Sequence, residues 1–387
     1  MSGAIDGTGD DAVPDDGRAT DDAGRPLRRG WTTGACATAA AKSAFAALAT
    51  GRFLDPVTIR LPKGETPTFA LARQEQGPDW ARAGVVKDAG DDPDVTHGCL
   101  VLATIRRAAP GAGVRFRAGP GVGTVTKPGL PLPPGEPAIN PAPRAMIQAA
   151  LAEIAAEAGC AADVEVELSI PDGEAIARKT WNPRLGILGG LSILGTTGVV
   201  VPYSCSAWIH SIHRGIDVAR ATGQDRVIGC TGDTSEAAVR RLYDLPDTAY
   251  LDMGDFVGGL LKYLRRHPVP HLTLAGGFAK FSQLADGALD LHSKRSQVDK
   301  AGLARLMAAL GAPDDAIDAA ARANTALEIL QIAERHGLDL ARPVAEAARR
   351  TALAALAGSG VTVEVVVVDR QGHVIARTPH VRDEDAT

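Results

Sequence analysis

The sequence predicts a chain of mixed α+β and α/β class: a mixed, β-rich N-terminal domain over 26–183, then a doubly wound α/β domain over 184–358 that closes in Ala-rich helices. Three observations carry this prediction. Short β-like runs broken by Gly, Pro and Asp crowd residues 57–119. From 186 onward strand-like and helix-like stretches alternate, the signature of a doubly wound, Rossmann-like sheet. Residues 299–357 are then rich in Ala at helical spacing. Acidic segments at 1–25 and 381–387 read as disordered tails, because they bury too little apolar surface to offset chain entropy.

Order is expected to begin near Pro26. Thr32 or Thr33 is placed to cap a helix whose Ala37, Ala41, Ala44 and Leu48 share one face, and Gly51 supplies its stop. The strand-like runs are 57–61, 68–73, 81–90, 100–105 and 113–119. The Pro/Gly-dense stretch 120–143 predicts an ordered loop without regular structure, and a helix follows over 144–157. Residues 164–181 alternate on both sides of a turn at Gly173, which predicts a hairpin. In the second domain the expected strands are 191–194, 225–230, 249–253 and 271–277, with helices at 204–221, 234–244 and 255–266 between them. Ile209, Ile212, Ile216 and Ala219 make a buried stripe on the first of these helices, and Asp233 with Glu236 forms a capping-box pattern on the second. The last ordered piece, VEVVVVDRQGHVIARTP (363–379), echoes VEVELSIPDGEAIARKT (164–180). Duplication and convergent hairpin chemistry both explain the echo. Either way the hairpin at 359–380 needs a sheet to join, and the first domain is the expected one.

Composition narrows the function. Of the 387 residues, 45% are hydrophobic and 22% charged, the balance of a soluble globular protein. Aromatics are only 4%, so the cores are built from Ala, Val, Leu and Ile. No apolar run is long enough for a membrane span, and the acidic start lacks the basic end and apolar centre of a signal peptide. The five cysteines are scattered without a CxxC pair, against a disulfide framework or a zinc cluster. A cytoplasmic protein is expected. Seven Asp against one Arg in 1–24, with three acids against one Arg in 381–387, exceed the whole net charge of −5. The body is therefore slightly basic, which suits an anionic small molecule and is too weak for nucleic acid.

Several stretches carry candidate chemistry. GILGGLSILGTTG (186–198) lets backbone approach a cofactor, or simply makes tight turns; it is not a GxGxxG dinucleotide fingerprint. Ligands of doubly wound sheets bind beyond the carboxyl ends of the strands. Those ends read Gly195-Thr196-Thr197-Gly198, Cys230-Thr231-Gly232-Asp233, Asp252-Met253-Gly254-Asp255 and Gly276-Gly277-Phe278. Asp233 and Asp255 are as readily helix caps as ligands, whereas Asp252 precedes its helix and is the better ligand candidate. The run 87–98 packs Asp88, Asp91, Asp92, Asp94 and His97 into a loop, which suits a general base, a hard-metal site or plain turn formation. His210 and His213 lie one turn apart without a third metal ligand, so a polar helix face is expected there. Lys280, His292, Lys294 and Arg295 form either a carboxylate-binding edge or a solvated charge run.

Taken in order, these stretches resemble the family of S-adenosylmethionine-dependent cobalt-precorrin-5B C1-methyltransferases. The resemblance rests on RRGWTTGACATAAAKSA (28–44), VVKDAGDDPDVTHG (85–98), GVGTVTKPGLPLPPGEPAINPAPRAMI (121–147), SIPDGEAIARKTWNPRLGILGGLSILGTTGVVVPYS (169–204), IGCTGDTSE (228–236), DMGDFVG (252–258) and LAGGFAKFSQLADGALDLHSKRSQVD (274–299). It spans most of 28–299, whereas 300–387 matches only in general character. The resemblance implies methyl transfer from S-adenosylmethionine to C1 of an anionic cobalt-tetrapyrrole, giving cobalt-precorrin-6A. Cobalt then arrives inside the substrate, and no metal site of the protein's own is expected. Under this reading the cofactor meets Gly189, Gly190, Gly195, Thr196, Gly198 and Asp252. The acetate and propionate arms of the macrocycle meet Arg28, Arg29, Lys127, Lys280 and Arg295. Asp92, Asp94 and His97 are the candidates for a catalytic base. No nucleic-acid or membrane partner is expected, and a homo-oligomer stays open. The rival readings are a nicotinamide-dependent α/β oxidoreductase and a non-catalytic corrinoid carrier.

Overall fold

A computed structural model describes residues 20, 24–293 and 295–380. The expected tails fall almost wholly outside the described residues, as does Lys294. The chain divides into two compact units, Met1–Ala207 and Trp208–Thr387.

The first unit is organised around one helix, α1 (Thr33–Thr50). Thr32 caps it, its side chain accepting from the Ala35 amide at 3.2 Å, and Gly51 ends it in the left-handed conformation at φ 79°. The Ala spacing predicts one buried face, but every residue from Thr33 to Ala47 is buried. Side chains this small let neighbours approach from all sides. The lone lysine, Lys42, is accommodated because its ammonium reaches the Thr58 carbonyl and the Glu153 carboxylate, both at 2.9 Å.

Against α1 lies a five-stranded sheet of β1 (Arg73–Gln76), β2 (Trp80–Val86), β3 (Leu100–Arg107), β4 (Val114–Ala118) and β5 (Val164–Ser169), in the order β1-β2-β3-β5-β4. Its pairs are antiparallel except β5–β4. Ala81, Ala83 and Ala103 face the helix, keeping sheet and helix close. Helix α2 (Pro141–Ala158) packs beside α1. The Pro/Gly stretch before it is tied by short pairings to the glycine-rich stretch: Gly121–Val122 to Gly190–Leu191, and Thr124–Val125 to Ile187–Leu188.

Two expectations fail here for physical reasons. The hairpin expected at 164–181 is a strand, β5, followed by a short helix, α3 (Gly173–Ala177). Both edges of β5 are already paired, to β3 and β4, so a return strand has no edge to join. The stretch 186–198, expected to open the α/β domain, belongs to the first unit.

The second unit is the doubly wound sheet. After α4 (Cys205–Ala221), which begins just before the unit boundary, come β6 (Arg226–Cys230), α5 (Asp233–Arg240), β7 (Tyr250–Asp252), α6 (Val257–Arg266), β8 (His271–Gly277) and α7 (Phe278–Ala285). Four helices follow: α8 (Lys300–Ala309), α9 (Asp314–Arg322), α10 (Ala326–Arg335) and α11 (Ala341–Ala355). β9 (Thr362–Val368) and β10 (Val374–Arg377) then complete the sheet, ordered β7-β6-β8-β9-β10 with only β10 antiparallel. The C-terminal hairpin thus joins the second unit's sheet rather than the first domain's.

Side-chain alternation sorts the two faces of this sheet. Val227, Leu272, Leu274, Val363, Val365 and Val367 form the main core with α4, α6, α7 and the Ala-rich helices. Ile228, Cys230, Ala275, Val366 and Val368 face the other way, against Ala238 and Val239 of α5. Of the predicted stripe on α4, Ile212, Ile216 and Ala219 are buried in the main core, while Ile209 is only half-buried.

Candidate functional site

Chain direction reverses between β6 and β8: from β6 the chain goes out to β7 on one side and returns to β8 on the other. A crevice forms at the carboxyl ends of the strands at such a switch point, because the two outgoing segments diverge to opposite faces. Here the diverging segments are Thr231-Gly232, leading into α5, and Gly277, leading into α7. The Thr231 amide donates to the Ala275 carbonyl at 3.0 Å, so the strands stay paired up to the point where the two segments diverge. A Cβ on Gly232 or Gly277 would meet nothing within 4 Å, so both glycines border open space. Gly232 and Gly277 cap their helices without any side-chain cap bond. The expected capping box is therefore absent: Asp233 sits inside the first turn, and Glu236 instead holds Arg240 at 2.9 Å.

Asp252 ends β7, the neighbouring strand, and is half-buried. It follows Gly232 by about 20 residues, the spacing at which an acidic group reaches ribose hydroxyls in doubly wound folds. Its backbone carbonyl accepts from the Trp208 indole at 3.0 Å. Lys280 on α7 donates to the Asp255 carboxylate and, at 2.9 Å, to the Leu291 carbonyl. That ammonium is occupied in tying together the two strand ends that flank β6, rather than presented to a substrate arm.

The glycine-rich stretch has a different setting. Gly34 and Thr32 at the start of α1 donate to the Leu194 and Gly198 carbonyls at 3.1 and 3.0 Å, and Gly30-Trp31 pairs with Val199-Val200. A Cβ at Gly190 would lie 2.3 Å from the Gly121 backbone, at Gly195 2.3 Å from the Thr32 hydroxyl, and at Gly198 2.5 Å from Leu61. Contacts within the first unit account for these three glycines. Gly189, at φ 84°, meets nothing within 4 Å, and Thr196 is exposed.

The acidic loop 87–98 is a built structure. Lys87 is 2% exposed, and its ammonium donates to Asp94, whose other oxygen accepts from the Thr96 amide and hydroxyl at 2.7 and 2.6 Å. Burial pushes the Asp94 carboxyl up, but Lys87 and the Thr96 bonds outweigh it and hold it below its ordinary value. Asp94 is thus an ionised strut rather than a base. Asp88 is forked by the Arg28 guanidinium and bonded by the Gly90 amide, which lowers it to about 2. His97 accepts from the Ala89 amide at Nδ1, 3.1 Å, so in its neutral form the proton lies on Nε2 and the ring presents a donor. One oxygen of Asp92 accepts from the Tyr203 amide at 2.8 Å. Asp92 therefore remains the loop's candidate for a proton acceptor.

Of the other predicted residues, Arg29 is exposed and Lys127 lays its stem over Gly186. Arg295 bonds Asp290 at 2.8 Å. His213 does not point at a metal: its ring stacks on Tyr263 with centroids 4.0 Å apart, and Nε2 contacts the Gly259 carbonyl at 3.3 Å. Among the described residues no cluster of His, Cys, Asp and Glu has the makings of a metal site, and no helix is long and apolar enough to cross a membrane. Trp208, beside Asp252, escaped the sequence reading because one exposed indole on a helix has no periodic signal.

A family model described as CbiD matches residues 20–202, and one described as CbiD, C-terminal domain, matches 290–379. The second extends the likeness into a region where the sequence suggested only general character. A Rhodospirillum rubrum protein named cobalt-precorrin-5B C(1)-methyltransferase is 64% identical over 354 residues, 92% of this chain and 98% of the relative. A Brucella anthropi protein of the same name is 63% identical over 351 residues, 91% of this chain and 95% of the relative. A crystal structure described as a cobalamin biosynthesis protein (cbiD) from Archaeoglobus fulgidus is 28% identical, covers 70% of this chain and 83% of that one, and has a TM-score of 0.39. With matches of this identity along nearly the whole chain, the protein belongs to the CbiD family.

Proposed function

We propose that the protein transfers a methyl group from S-adenosylmethionine to C1 of cobalt-precorrin-5B, giving cobalt-precorrin-6A in corrin-ring synthesis. The reaction is supported by relatives of that name at 63% and 64% identity over most of both chains. The donor's place is supported by one observation above the rest: the open space beside Gly232 and Gly277 at the switch point, with Asp252 at the next strand end.

Bound there, S-adenosylmethionine supplies a methyl activated by its sulfonium. The first amides of α5 and α7, uncapped by side chains, suit the donor's carboxylate. Asp252 takes the ribose hydroxyls, and the Lys280–Asp255 tie keeps the neighbouring strand ends in fixed relation. Within the first unit, Arg29, Lys127 and the Nε2–H of His97 are donors of the kind that carboxylate arms take, and Asp92 is a proton acceptor of the kind the reaction calls for. The methyl–sulfur electron pair returns to sulfur as the new bond to C1 forms. Most of the acceleration then comes from holding carbon, methyl and sulfur in line. A cytoplasmic location goes with this reading.

Titration with S-adenosylhomocysteine by calorimetry, for the native protein and Asp252→Ala, tests it alongside turnover of cobalt-precorrin-5B followed as a one-methyl mass gain. Saturable binding that Asp252→Ala weakens tenfold or more is expected. Binding untouched by the substitution removes the donor from this crevice, and absence of any methyl gain overturns the function.

A further inference from the structure

We propose that Trp208 is the platform on which the donor's adenine stacks, with the Asp252 carboxylate beside it holding the ribose. This rests on the reading above that the donor binds at the strand ends of the second unit. Trp208 lies in the first turn of α4 and is 43% exposed, whereas Ile212 and Ile216 further along the helix are fully buried. Its exposure does not leave it loose. The indole Nε1 donates to the Asp252 carbonyl at 3.0 Å, and the ring leans on Phe256 with centroids 6.2 Å apart. Gly254, at φ 52°, lies so close that a Cβ there would sit 3.4 Å from the ring edge. Close packing of Gly215 on Leu251, 2.5 Å from a notional Cβ, holds α4 against β7 and so fixes where the indole stands.

Held by its Nε1–H and against Phe256, yet 43% exposed, the ring stands at the end of the strand that carries Asp252. An indole face and a carboxylate at one strand end match the two halves of a nucleoside: a flat base to stack and a diol to accept from. Packing of α4 alone would need neither a part-exposed indole nor its bond to that carbonyl.

The test is S-adenosylhomocysteine and adenosine titration of the full chain, read by calorimetry and by tryptophan emission, with Trp208→Phe and Trp208→Ala alongside. Both ligands should quench emission in the native protein. Trp208→Phe should bind within a few-fold of native yet lose the quench, and Trp208→Ala should bind about ten- to a hundredfold more weakly. If the native protein binds but Trp208→Phe keeps the full quench, or Trp208→Ala keeps native affinity, adenine does not stack there. Should the native protein bind neither ligand, the donor site itself is wrong and this proposal falls with it. Should Trp208→Ala fail to fold, the quench in Trp208→Phe decides alone.

Discussion

Substitution of Glu364 by Gln should destabilise the second unit more than most single changes. Glu364 lies in β9, and its side chain is 1% exposed on the α5 side of the sheet. Its oxygens accept from the Tyr243 hydroxyl, from Thr273 at 2.8 Å and from the Arg377 guanidinium at 2.7 Å. Arg226 stands at 4.0 Å and His380 at 3.4 Å. A carboxylate thus sits amid donors and cations, and Gln would remove the charge while turning an amide donor toward other donors. Breaking a buried pair from one side costs about 3–5 kcal/mol. For a unit of this size each kcal/mol moves the melting point about 2–4 °C, so the expected drop is on the order of 10 °C at pH 7. The pH dependence adds an independent check. Burial pushes this carboxyl up, but the Tyr243, Arg377 and Thr273 bonds together with His380 outweigh it, leaving the folded value below the ordinary one of 4.5. A depressed folded value stabilises the protein above the unfolded value and is lost as pH falls through the folded one. The gap between native and Glu364→Gln melting curves should therefore narrow below about pH 4.5. Calorimetric melts from pH 7 to pH 4 measure both effects, and Arg377→Gln should add less than its full cost on top of Glu364→Gln. A drop under about 2 °C, or a gap that stays constant with pH, would refute the reasoning.

Three further outcomes follow from the same structure. Burial first, then the neighbouring His210 and Arg214, lower His213 to about 4, so protonation favours the unfolded chain and stability is lost as pH falls from the ordinary 6.5 toward 4. With a discount for its partial exposure this is about 1–2 kcal/mol, and urea midpoints of His213→Phe should lack that part of the slope. Asp94→Asn should lower stability by about 3 kcal/mol, because it strands the buried Lys87 ammonium, and the melting curve will separate that effect from any loss of turnover. Gly190→Ala should cost about 3 kcal/mol or more, since its Cβ would collide with the Gly121 backbone, whereas Gly189→Ala meets open space and should cost only about 1–2 kcal/mol for its positive φ; equal melting points for the two would show that the close packing has been misjudged.

What was legible in the sequence divides along the line between local and distant causes. Caps, stops and periodicity are local, so Thr32, Gly51, the α4 stripe and the 271–277 strand all stand where their residues predict. Sheet edges are not local. The two echoing stretches make the point: 363–379 and 164–180 carry nearly the same chemistry, yet the first folds as strand, turn and strand while the second folds as strand and helix. β9 has β8 on one side and the other edge free for its own return strand, but β5 is already flanked by β3 and β4. With no edge to join, Glu174-Ala175-Ile176-Ala177 takes the helical turn that these residues favour by themselves.

The same division governs the candidate site. The place of Asp252 at a strand end was legible because the end of a strand in an α/β sheet is predictable from the strand alone. The glycines at 190, 195 and 198 were ambiguous, since a glycine admits a ligand or a neighbouring backbone equally well, and only the position of Gly121, Thr32 and Leu61 decides. The acidic loop was legible as a cluster but not by role. Lys87, seven residues from Asp94, shows no sequence sign of being buried, yet its burial makes Asp94 a strut and leaves Asp92 as the loop's candidate acceptor. Residue types in a sequence propose the chemistry; which of them remain available for it is settled by the partners each one finds on folding.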